Sequence, residues 1–380
     1  MRVVHVAESL NRNLAGPAFA VTQLATALAA TGLVRTEILA LDLSRFGEPL
    51  SPSAQVPVTL YRPFRPFFWG LSWPYTKRLF EIARDPEVVL HMQSVFRIPT
   101  LTAIWLARRH HLPTIVSPRG ALDPWSLAHR AGRKKFFWHL LFRRVLEQVS
   151  LIHAASRREA ESIAALVSKV PIAVIPNGIE LPALDSGPPH PPSRTAIYLS
   201  RIAPNKGLQN LLRAWARVRP AGWSLRVAGP DEKGHRAVCE AAIRELGLGA
   251  VVSFLGPVYG EQKWAALRGA DLFILPTLGE NFGLVVAEAL AAGLPVITTR
   301  AAPWEELVSR QCGWWVELGV EPLAAALREA VSREAELPRM GARGRAWVEE
   351  KFAWPGIARE MIAAYSWVAG AGPKPASVIT

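Results

Sequence analysis

The sequence has few of the features that mark several protein classes. Its two cysteines, Cys239 and Cys312, are too few and too far apart for a disulfide framework or a zinc site, so a reducing compartment is expected. No apolar run approaches the roughly 18 residues of a membrane span. The start, MRVVHVAESLNRN, becomes polar too early for a secretory signal. We therefore expect a cytoplasmic chain whose contact with a membrane is at most peripheral.

Acidic residues are scarce in the first half of the chain. Residues 1–180 hold 22 Lys/Arg against 12 Asp/Glu and residues 181–380 hold 22 against 19, so the halves contribute 10 and 3 to the net charge of +13. This asymmetry favours an anionic partner for the first half, either a membrane headgroup, a phosphorylated lipid or nucleic acid. The alternative is a compositional bias towards arginine. No nucleic-acid-binding motif is present, so only the charge supports that partner.

Apolar runs alternate with amphipathic segments throughout the sequence. Because the runs are continuous, they predict parallel strands covered on both faces. The predicted strands are residues 2–7, 35–41, 87–92, 113–117, 150–156 and 172–176, followed by 195–200, 224–229, 251–256, 271–276, 295–299 and 313–317. The predicted fold class is α/β, with two doubly wound domains whose ligands lie beyond the carboxyl ends of the strands.

The domain boundaries follow from composition. The two series of strands are separated by residues 181–194, whose five prolines indicate a stiff connector. We place the domains at residues 1–180 and 194–353, with the linker at 181–193. Residues 370–380 are expected to form a disordered tail.

Two glutamates stand in the apolar stretch PTLGENFGLVVAEALAAGLPVITT, residues 276–299. Glu280 falls in the loop after the strand at 271–276, and Glu288 falls about five residues into the next helix. The amino end of a helix attracts anions, and carboxylates accept hydrogen bonds from hydroxyl groups. A sugar or ribose attached to phosphate is the predicted ligand. In the alternative interpretation Glu280 is exposed to solvent and Glu288 only caps or pairs locally.

Two cations, Arg201 and Lys206, flank a Pro-Asn turn after the strand at 195–200. Because this turn is also at a carboxyl end, it is expected to face the loop that carries Glu280. Two cations on one turn suit the two phosphates of a diphosphate. A solvated turn is the alternative.

Together these motifs resemble the retaining nucleotide-sugar glycosyltransferases of family 4, which have the GT-B fold of two Rossmann-like domains facing each other across a cleft. The features that carry the resemblance are VIPNGIE at 174–180, SRIAPNKGLQNLLRA at 200–214, VAGP at 227–230, VSFLGPV at 252–258 and ADLFILPTLGENFGLVVAEALAAGLPVITT at 270–299. The resemblance implies transfer of a sugar from a nucleoside-diphosphate sugar to a saccharide or lipid-linked saccharide, in cell-surface polysaccharide or lipopolysaccharide synthesis.

The resemblance also implies roles for individual residues. Arg201 and Lys206 would neutralise the leaving diphosphate, Glu280 would hold hydroxyls of the sugar, and Glu288 would bind the ribose. Further donor-binding residues implied by the family are Gly16, Gly229, Asn281, Phe282, Gly283 and Leu284. The chain contains no Asp-x-Asp, the usual clamp for a metal-bound sugar diphosphate, so we predict transfer without a metal or other cofactor. For Gly16 a simple turn glycine is the alternative.

The first domain would bind the acceptor, and by the family pattern the final helix, residues 354–369, would cross back onto it. Arg119 stands where the family often has a histidine, and an arginine cannot act as a base at neutral pH. His91 matches the first histidine of an HxH-like pattern whose second position is Gln93. His91 and Arg119 are therefore the acceptor-side candidates, with a core role as the alternative for His91. Without a protein base, an oxygen of the donor β-phosphate is expected to take the acceptor proton.

Two segments combine basic and aromatic residues, 61–80 and 129–148, and the second carries six Lys/Arg. Such segments often lie on anionic membranes, so peripheral contact with the inner face of a membrane is expected. The alternative is a helix whose apolar face is buried in the protein and whose basic face is exposed to solvent. A catalytically silent scaffold with the same fold is the remaining functional alternative, and loss of transfer in Glu280→Gln would exclude it.

Overall fold

The computed structural model describes residues 1–11, 16–64, 70–123, 142–182 and 193–379. The chain divides into two compact units. The first unit comprises Met1–Gly178 and Trp354–Thr380, and the second comprises Ile179–Ala353. Most of the predicted linker, residues 183–192, lies outside the described residues.

The strands of the first unit that precede the second unit are β1 (Arg2–Val6), β2 (Arg35–Leu41), β3 (Val58–Tyr61), β4 (Val88–Met92), β5 (Thr114–Val116), β6 (Leu151–Ala154) and β7 (Ile172–Val174). Those of the second unit are β8 (Thr195–Leu199), β9 (Ser224–Ala228), β10 (Val252–Gly256), β11 (Leu272–Leu275), β12 (Val296–Thr299) and β13 (Gly313–Val316). The strand β14 (Val378–Ile379) belongs again to the first unit.

The helices of the first unit before the second unit begins are α1 (Gly16–Ala30), α2 (Trp73–Ile82), α3 (Ile98–His110), α4 (Arg143–Leu146) and α5 (Arg157–Ala164). Those of the second unit are α6 (Leu208–Val218), α7 (His235–Glu245), α8 (Gly260–Arg268), α9 (Leu284–Ala291), α10 (Glu306–Ser309), α11 (Val320–Ser332) and α12 (Leu337–Lys351). The long helix α13 (Trp354–Val368) returns to the first unit.

The sheet of the first unit has the strand order β14-β7-β6-β5-β4-β1-β2-β3. Successive residues of a strand point to opposite faces, and β1 shows the consequence. Val3 packs in a cluster with α1 and α13, whereas Val4 and Val6 pack on the other face with α2 and α3. Both faces are therefore buried, which explains why the strand sequences are continuously apolar.

The helix α13 is fixed to the first unit by close packing. Its residues Ile357, Met361 and Tyr365 lie in the same buried cluster as Val3. At its start, a Cβ atom added to Gly178 would lie 2.2 Å from the Trp354 ring, so only a glycine allows this approach. Packing against a glycine thus joins the two segments where the chain leaves and re-enters the unit.

The sheet of the second unit has the order β10-β9-β8-β11-β12-β13, and every neighbouring pair is parallel. The chain order reverses between β8 and β11. In open parallel sheets ligands bind beyond the carboxyl ends of the strands at such a switch point. The loops that follow β8 and β11 are therefore the first place to look for a site.

Two parts of the first unit differ from the sequence prediction. The prediction of a disordered tail at residues 370–380 is wrong. Within this segment β14 pairs antiparallel with β7, and Val378 is buried. The strand β3 was not predicted. Its four residues, VTLY, stand between Pro57 and Pro63 in sequence and form a mostly exposed strand at the edge of the sheet. Within the part of the chain that is described, no helix has both the length and the apolar composition needed to cross a bilayer.

Candidate functional site

The loops after β8 and β11 are held against each other. The backbone N–H of Leu278 donates to the carbonyl of Asn205 at 2.8 Å, and the Thr277 hydroxyl donates to the same carbonyl at 3.2 Å. Gly207 has φ of 72°, and a Cβ atom at this position would lie 1.9 Å from the Pro276 carbonyl oxygen. A glycine is thus required twice at Gly207, for the left-handed backbone and for the close approach.

This contact brings together two of the residues predicted from the sequence. The Lys206 ammonium lies 2.5 Å from a carboxylate oxygen of Glu280. Their side chains are only 10% and 15% exposed, which excludes the solvent-exposed alternative for Glu280. A cation and an anion therefore lie side by side at the switch point of the second sheet.

The loop that carries Glu280 is fixed by the residues that follow it. The Trp304 indole N–H donates to the Phe282 carbonyl at 2.6 Å, and the Phe282 ring packs 5.4 Å from the Trp304 ring, centroid to centroid. Gly283 then adopts φ of 82°, and α9 begins at Leu284. Phe282 thus anchors the loop by its ring, while Gly283 lets the chain turn into the helix.

Glu288 lies in the second turn of α9 and pairs with a lysine. Its carboxylate is 2.6 Å from the ammonium of Lys263, which belongs to the first turn of α8 and also lies 4.5 Å from the centre of the Trp264 ring. Both members of the pair are about four-fifths buried. Local pairing was one of the two interpretations of Glu288. Through this pair a second lysine, Lys263, lies close to Glu288, on the helix that follows β10.

Arg201 pairs with Glu232, in the loop after β9. That loop begins at Gly229, which has φ of 135° and where a Cβ atom would lie 1.8 Å from the Ser200 carbonyl oxygen. Neither Glu232 nor Lys263 was predicted from the sequence. Glu232 lies only a few residues beyond a predicted strand, so applying the strand-end rule to β9 as well would have found it.

In the first unit His91 belongs to a buried chain of hydrogen bonds. Its Nδ1 and Nε2 are 2.8 Å from the Tyr365 hydroxyl and 2.7 Å from the Ser117 hydroxyl. Ser117 continues to His153 Nδ1 at 2.7 Å, and His153 Nε2 lies 2.7 Å from the Ile175 carbonyl oxygen. Because a carbonyl only accepts, His153 Nε2 carries a proton, and every donor in the chain then points from Tyr365 towards Ile175.

This arrangement corrects the prediction that His91 contacts an acceptor. Both ring nitrogens are occupied and the side chain is fully buried. Burial, together with the neighbouring His5 and His153, holds the pKa of His91 well below its usual range. Burial and the Arg119 charge lower the pKa of His5 to about 3 and that of His153 to about 4. All three imidazoles are neutral at physiological pH, and the core-histidine interpretation describes His91.

Arg119 lies beside this chain and is held by amide oxygens. Its guanidinium donates to Gln93 Oε1 at 2.9 and 2.5 Å and to Asn177 Oδ1 at 3.1 Å. The amide nitrogen of Gln93 then faces His5 Nδ1 at 2.9 Å. Among the described residues no carboxylate forms an ion pair with Arg119. Burial lowers the pKa of Arg119 to about 10, although the Glu159 carboxylate opposes the shift, so Arg119 remains a cation.

Some predicted residues are described only in part. Gly16 is the first residue of α1, but residues 12–15 of the predicted glycine loop lie outside the described residues. Of the basic aromatic segments, residues 65–69 of the first and 129–141 of the second also lie outside them. Asn281, which lies between Glu280 and Phe282 in the loop after β11, is partly buried.

Two family models match the chain. The model of the glycosyl transferase 4-like domain matches residues 15–178, and that of glycosyl transferases group 1 matches residues 186–347. The chain is a family 4 glycosyltransferase. The predicted motifs at 200–214 and 270–299 lie within the second match, and the enzyme class predicted from them is confirmed.

The glycosyltransferase is similar in sequence to two mannosyltransferases. It is 29% identical over 235 residues to MMP α-(1→4)-mannosyltransferase of Mycolicibacterium hassiacum, an alignment that covers 59% of this chain and 55% of that protein. The chain thus spans just over half the length of that relative. It is 26% identical over 314 residues, 81% of each chain, to GDP-mannose:cellobiosyl-diphosphopolyprenol α-mannosyltransferase of Xanthomonas oryzae pv. oryzae.

The structure of Anabaena Alr3699/HepE in complex with UDP-glucose matches with a TM-score of 0.77 at 17% identity and covers 97% of this chain and all of that one. The predicted GT-B fold class, with its two parallel-sheet α/β domains, is confirmed.

Proposed function

We propose that this glycosyltransferase moves a sugar from a nucleoside-diphosphate sugar to a saccharide or lipid-linked saccharide, with retention of anomeric configuration and without a metal. One observation carries the donor assignment. Lys206 and Glu280, 74 positions apart in sequence, meet at the switch point between β8 and β11, just before the amino end of α9. Two comparisons support it, since HepE was crystallised with UDP-glucose and the Xanthomonas relative is named for GDP-mannose.

The charges of the second unit suit the departure of a nucleoside diphosphate. The reaction breaks the bond between the anomeric carbon and the diphosphate, so negative charge grows on the leaving group. Lys206, Arg201 and the backbone N–H groups at the start of α9 are positioned cations and dipoles of the kind that stabilise such charge. In the proposal Glu280 and Glu288 accept hydrogen bonds from hydroxyls of the sugar and the ribose.

The proposed retention needs no base from the protein. Arg119 is a cation and His91 is buried, so neither is suited to take the acceptor proton. An oxygen of the departing β-phosphate takes this proton instead, while the acceptor oxygen bonds to the anomeric carbon on the face that the phosphate leaves. The absence of Asp-x-Asp from the sequence and the presence of Lys206 and Arg201 motivate metal independence.

The first unit is proposed to bind the acceptor. Arg119 is a partly buried cation whose hydrogen-bond partners are neutral, so it suits a phosphate or another anionic group of the acceptor. The Xanthomonas relative is named for a diphosphopolyprenol acceptor, and a lipid-linked saccharide is accordingly the proposed class. Such an acceptor would bring the enzyme to the inner face of a membrane, with the basic segments 61–80 and 129–148 as candidate contacts.

A panel of ligands tests the donor assignment. The melting temperature is measured with UDP, GDP, ADP and dTDP and their sugars, in the presence of EDTA. A ligand at 100 times its dissociation constant should stabilise the protein by about 2.7 kcal/mol. Product stereochemistry, read by NMR of the anomeric proton, tests retention. A catalytically silent scaffold would bind a donor yet show equal, negligible turnover in wild type and Glu280→Gln.

A further inference from the structure

An exposed aromatic and basic surface covers one side of the first unit. On α2, Trp73 and Phe80 are 69% and 41% exposed, and on α3, Trp105 is 57% exposed. Large aromatic side chains usually bury most of their area, so three of them on neighbouring helices require an explanation. The Phe80 and Trp105 rings contact each other edge to face, with centroids 6.0 Å apart, so the two helices present one continuous patch.

Helical spacing adds positive charge to this patch. On α2 and the turn after it, Trp73, Lys77, Phe80 and Arg84 are all exposed and follow one another at intervals of four, three and four residues, which places them on one side of a helix. On α3, Trp105 is followed by Arg108 and Arg109 after three and four residues, and both are exposed. We call these three aromatic and four basic residues the α2–α3 face.

The opposite sides of both helices are firmly packed. Tyr75, Leu79 and Ile82 of α2 and Ile104 and Ala107 of α3 are buried in the core beneath the sheet. The α2–α3 face is therefore the exposed side of two helices whose opposite sides are buried in the core.

The charges of the face lack local compensation. Within the described residues, Lys77, Arg84, Arg108 and Arg109 form no ion pair with a carboxylate. The exposed acid of α2, Glu81, is paired with Arg78 at 3.2 Å. The net charge of the patch is thus positive.

We propose that the α2–α3 face binds the surface of an anionic lipid bilayer. Tryptophan and phenylalanine insert into the headgroup region, and lysine and arginine bind the anionic headgroups, so the composition of the face fits this occupant. A second copy of the chain fits less well, because a two-fold contact would bring the same four cations of each copy together. The proposal rests on the lipid-linked acceptor proposed above for its biological reason, but it is physically independent of catalysis.

Vesicle sedimentation tests the proposal on the full chain without donor or acceptor. Sucrose-loaded vesicles of 30% phosphatidylglycerol and 70% phosphatidylcholine are compared with vesicles of phosphatidylcholine alone. The charge variant combines Lys77→Gln, Arg84→Gln, Arg108→Gln and Arg109→Gln. The aromatic variant combines Trp73→Ser, Phe80→Ser and Trp105→Ser. The matched control removes one lysine and three arginines exposed on the second unit: Lys351→Gln, Arg213→Gln, Arg244→Gln and Arg328→Gln.

Wild type and the matched control should bind the anionic vesicles, and each face variant should bind about tenfold more weakly or worse. Far-UV circular dichroism and the melting temperature establish that each variant is folded, and the charge variant alone decides the test if the aromatic variant does not fold. Three results would overturn the proposal: no binding of wild type to anionic vesicles, an equal loss in the matched control, or self-association that the aromatic variant abolishes without any vesicle binding. Because no nucleotide is present, none of these results bears on the donor assignment.

Discussion

Lys206 and Glu280 form an ion pair 2.5 Å long that is about nine-tenths buried and joins the loops after β8 and β11. Removing one member of such a pair leaves the other charge poorly solvated, whereas removing both does not. A double-mutant cycle with Lys206→Met and Glu280→Gln should therefore show a coupling of about 1–3 kcal/mol in urea unfolding.

The same cycle has a different expected outcome in catalysis. Lys206→Met should lower the rate of transfer or donor hydrolysis by about 10²–10³, because it removes a charge that stabilises the leaving diphosphate. The double variant should be no more active than the single one, although it is more stable than additivity predicts. Arg333→Gln, which breaks the exposed ion pairs of Arg333 with Glu329 and Glu336 just after α11, serves as the control. Full activity in Lys206→Met would remove this lysine from the mechanism.

Gly207→Ala should misplace the Lys206 turn. The added Cβ atom would meet the Pro276 carbonyl oxygen at 1.9 Å, so the loops after β8 and β11 must separate. Gly234 is the matched control, because it also precedes a helix, has φ of 79°, and has nothing within 4 Å of an added Cβ atom. Gly234→Ala should cost about 1–2 kcal/mol from backbone strain alone.

We expect Gly207→Ala to cost at least about 2 kcal/mol more than Gly234→Ala in urea unfolding and to weaken nucleotide binding, which Gly234→Ala should leave intact. Equal losses in the two variants would show that the close approach of the loops is unimportant.

Lys263→Met should weaken nucleotide binding through its effect on Glu288. Without the lysine 2.6 Å away, the Glu288 carboxylate is an unpaired negative charge near the proposed diphosphate position. We expect about a tenfold loss of affinity for a nucleoside diphosphate and a smaller loss for the nucleoside. Adding Glu288→Gln to Lys263→Met should restore part of the lost affinity, measured by calorimetry. If the second substitution restores none of the lost affinity, the loss in Lys263→Met does not come from the Glu288 charge.

Stability should fall on acidification because of the buried histidines. Their pKa values are depressed in the folded state, to about 3 for His5 and about 4 for His153, against about 6.5 when unfolded. Between these values the unfolded chain binds more protons, so the contribution is complete above pH 6.5 and is lost as the pH falls towards about 4 for His153 and about 3 for His5.

Each of these two histidines should lower the free energy of unfolding by about 2 kcal/mol at pH 5 relative to pH 7.5. The variant His5→Gln is informative because His5 Nε2 has no hydrogen-bond partner in the described structure. Urea unfolding at the two pH values should show a decline smaller by about that amount in the variant. An unchanged decline would mean that His5 is not protonated on unfolding in this range.

The elements that the sequence predicted correctly are those whose signal is local. Strands such as β8 and β11 are buried on both faces, and their apolar runs are visible in any window. The strand β14 has two residues and exists only because it pairs with β7, so no local pattern could indicate it. The strand β3 is short and stands between Pro57 and Pro63, and nearby prolines argue against a strand in a local pattern.

The sequence could predict those residues of the candidate site that lie in loops directly after predicted strands. Lys206 and Glu280 each follow a buried strand, so their proximity could be expected once the strands were known to be parallel. The strand-end rule could also have named Glu232 as a candidate. It could not have given the pairing of Glu232 with Arg201 or of Lys263 with Glu288, because these partners are 31 and 25 positions apart in sequence and pair only through the directions of their side chains. The burial of His91 depends on Tyr365, which is 274 positions away.

The most direct test of the donor site is calorimetric titration of UDP, GDP and their nucleosides in EDTA into wild type, Lys206→Met and Glu288→Gln. We predict that wild type binds at least one diphosphate about tenfold or more tightly than its nucleoside, and that Lys206→Met loses this difference. Glu288→Gln should weaken the diphosphate and its nucleoside alike. Failure of wild type to bind any diphosphate, or a Lys206→Met variant that keeps the full preference for the diphosphate, would contradict the account.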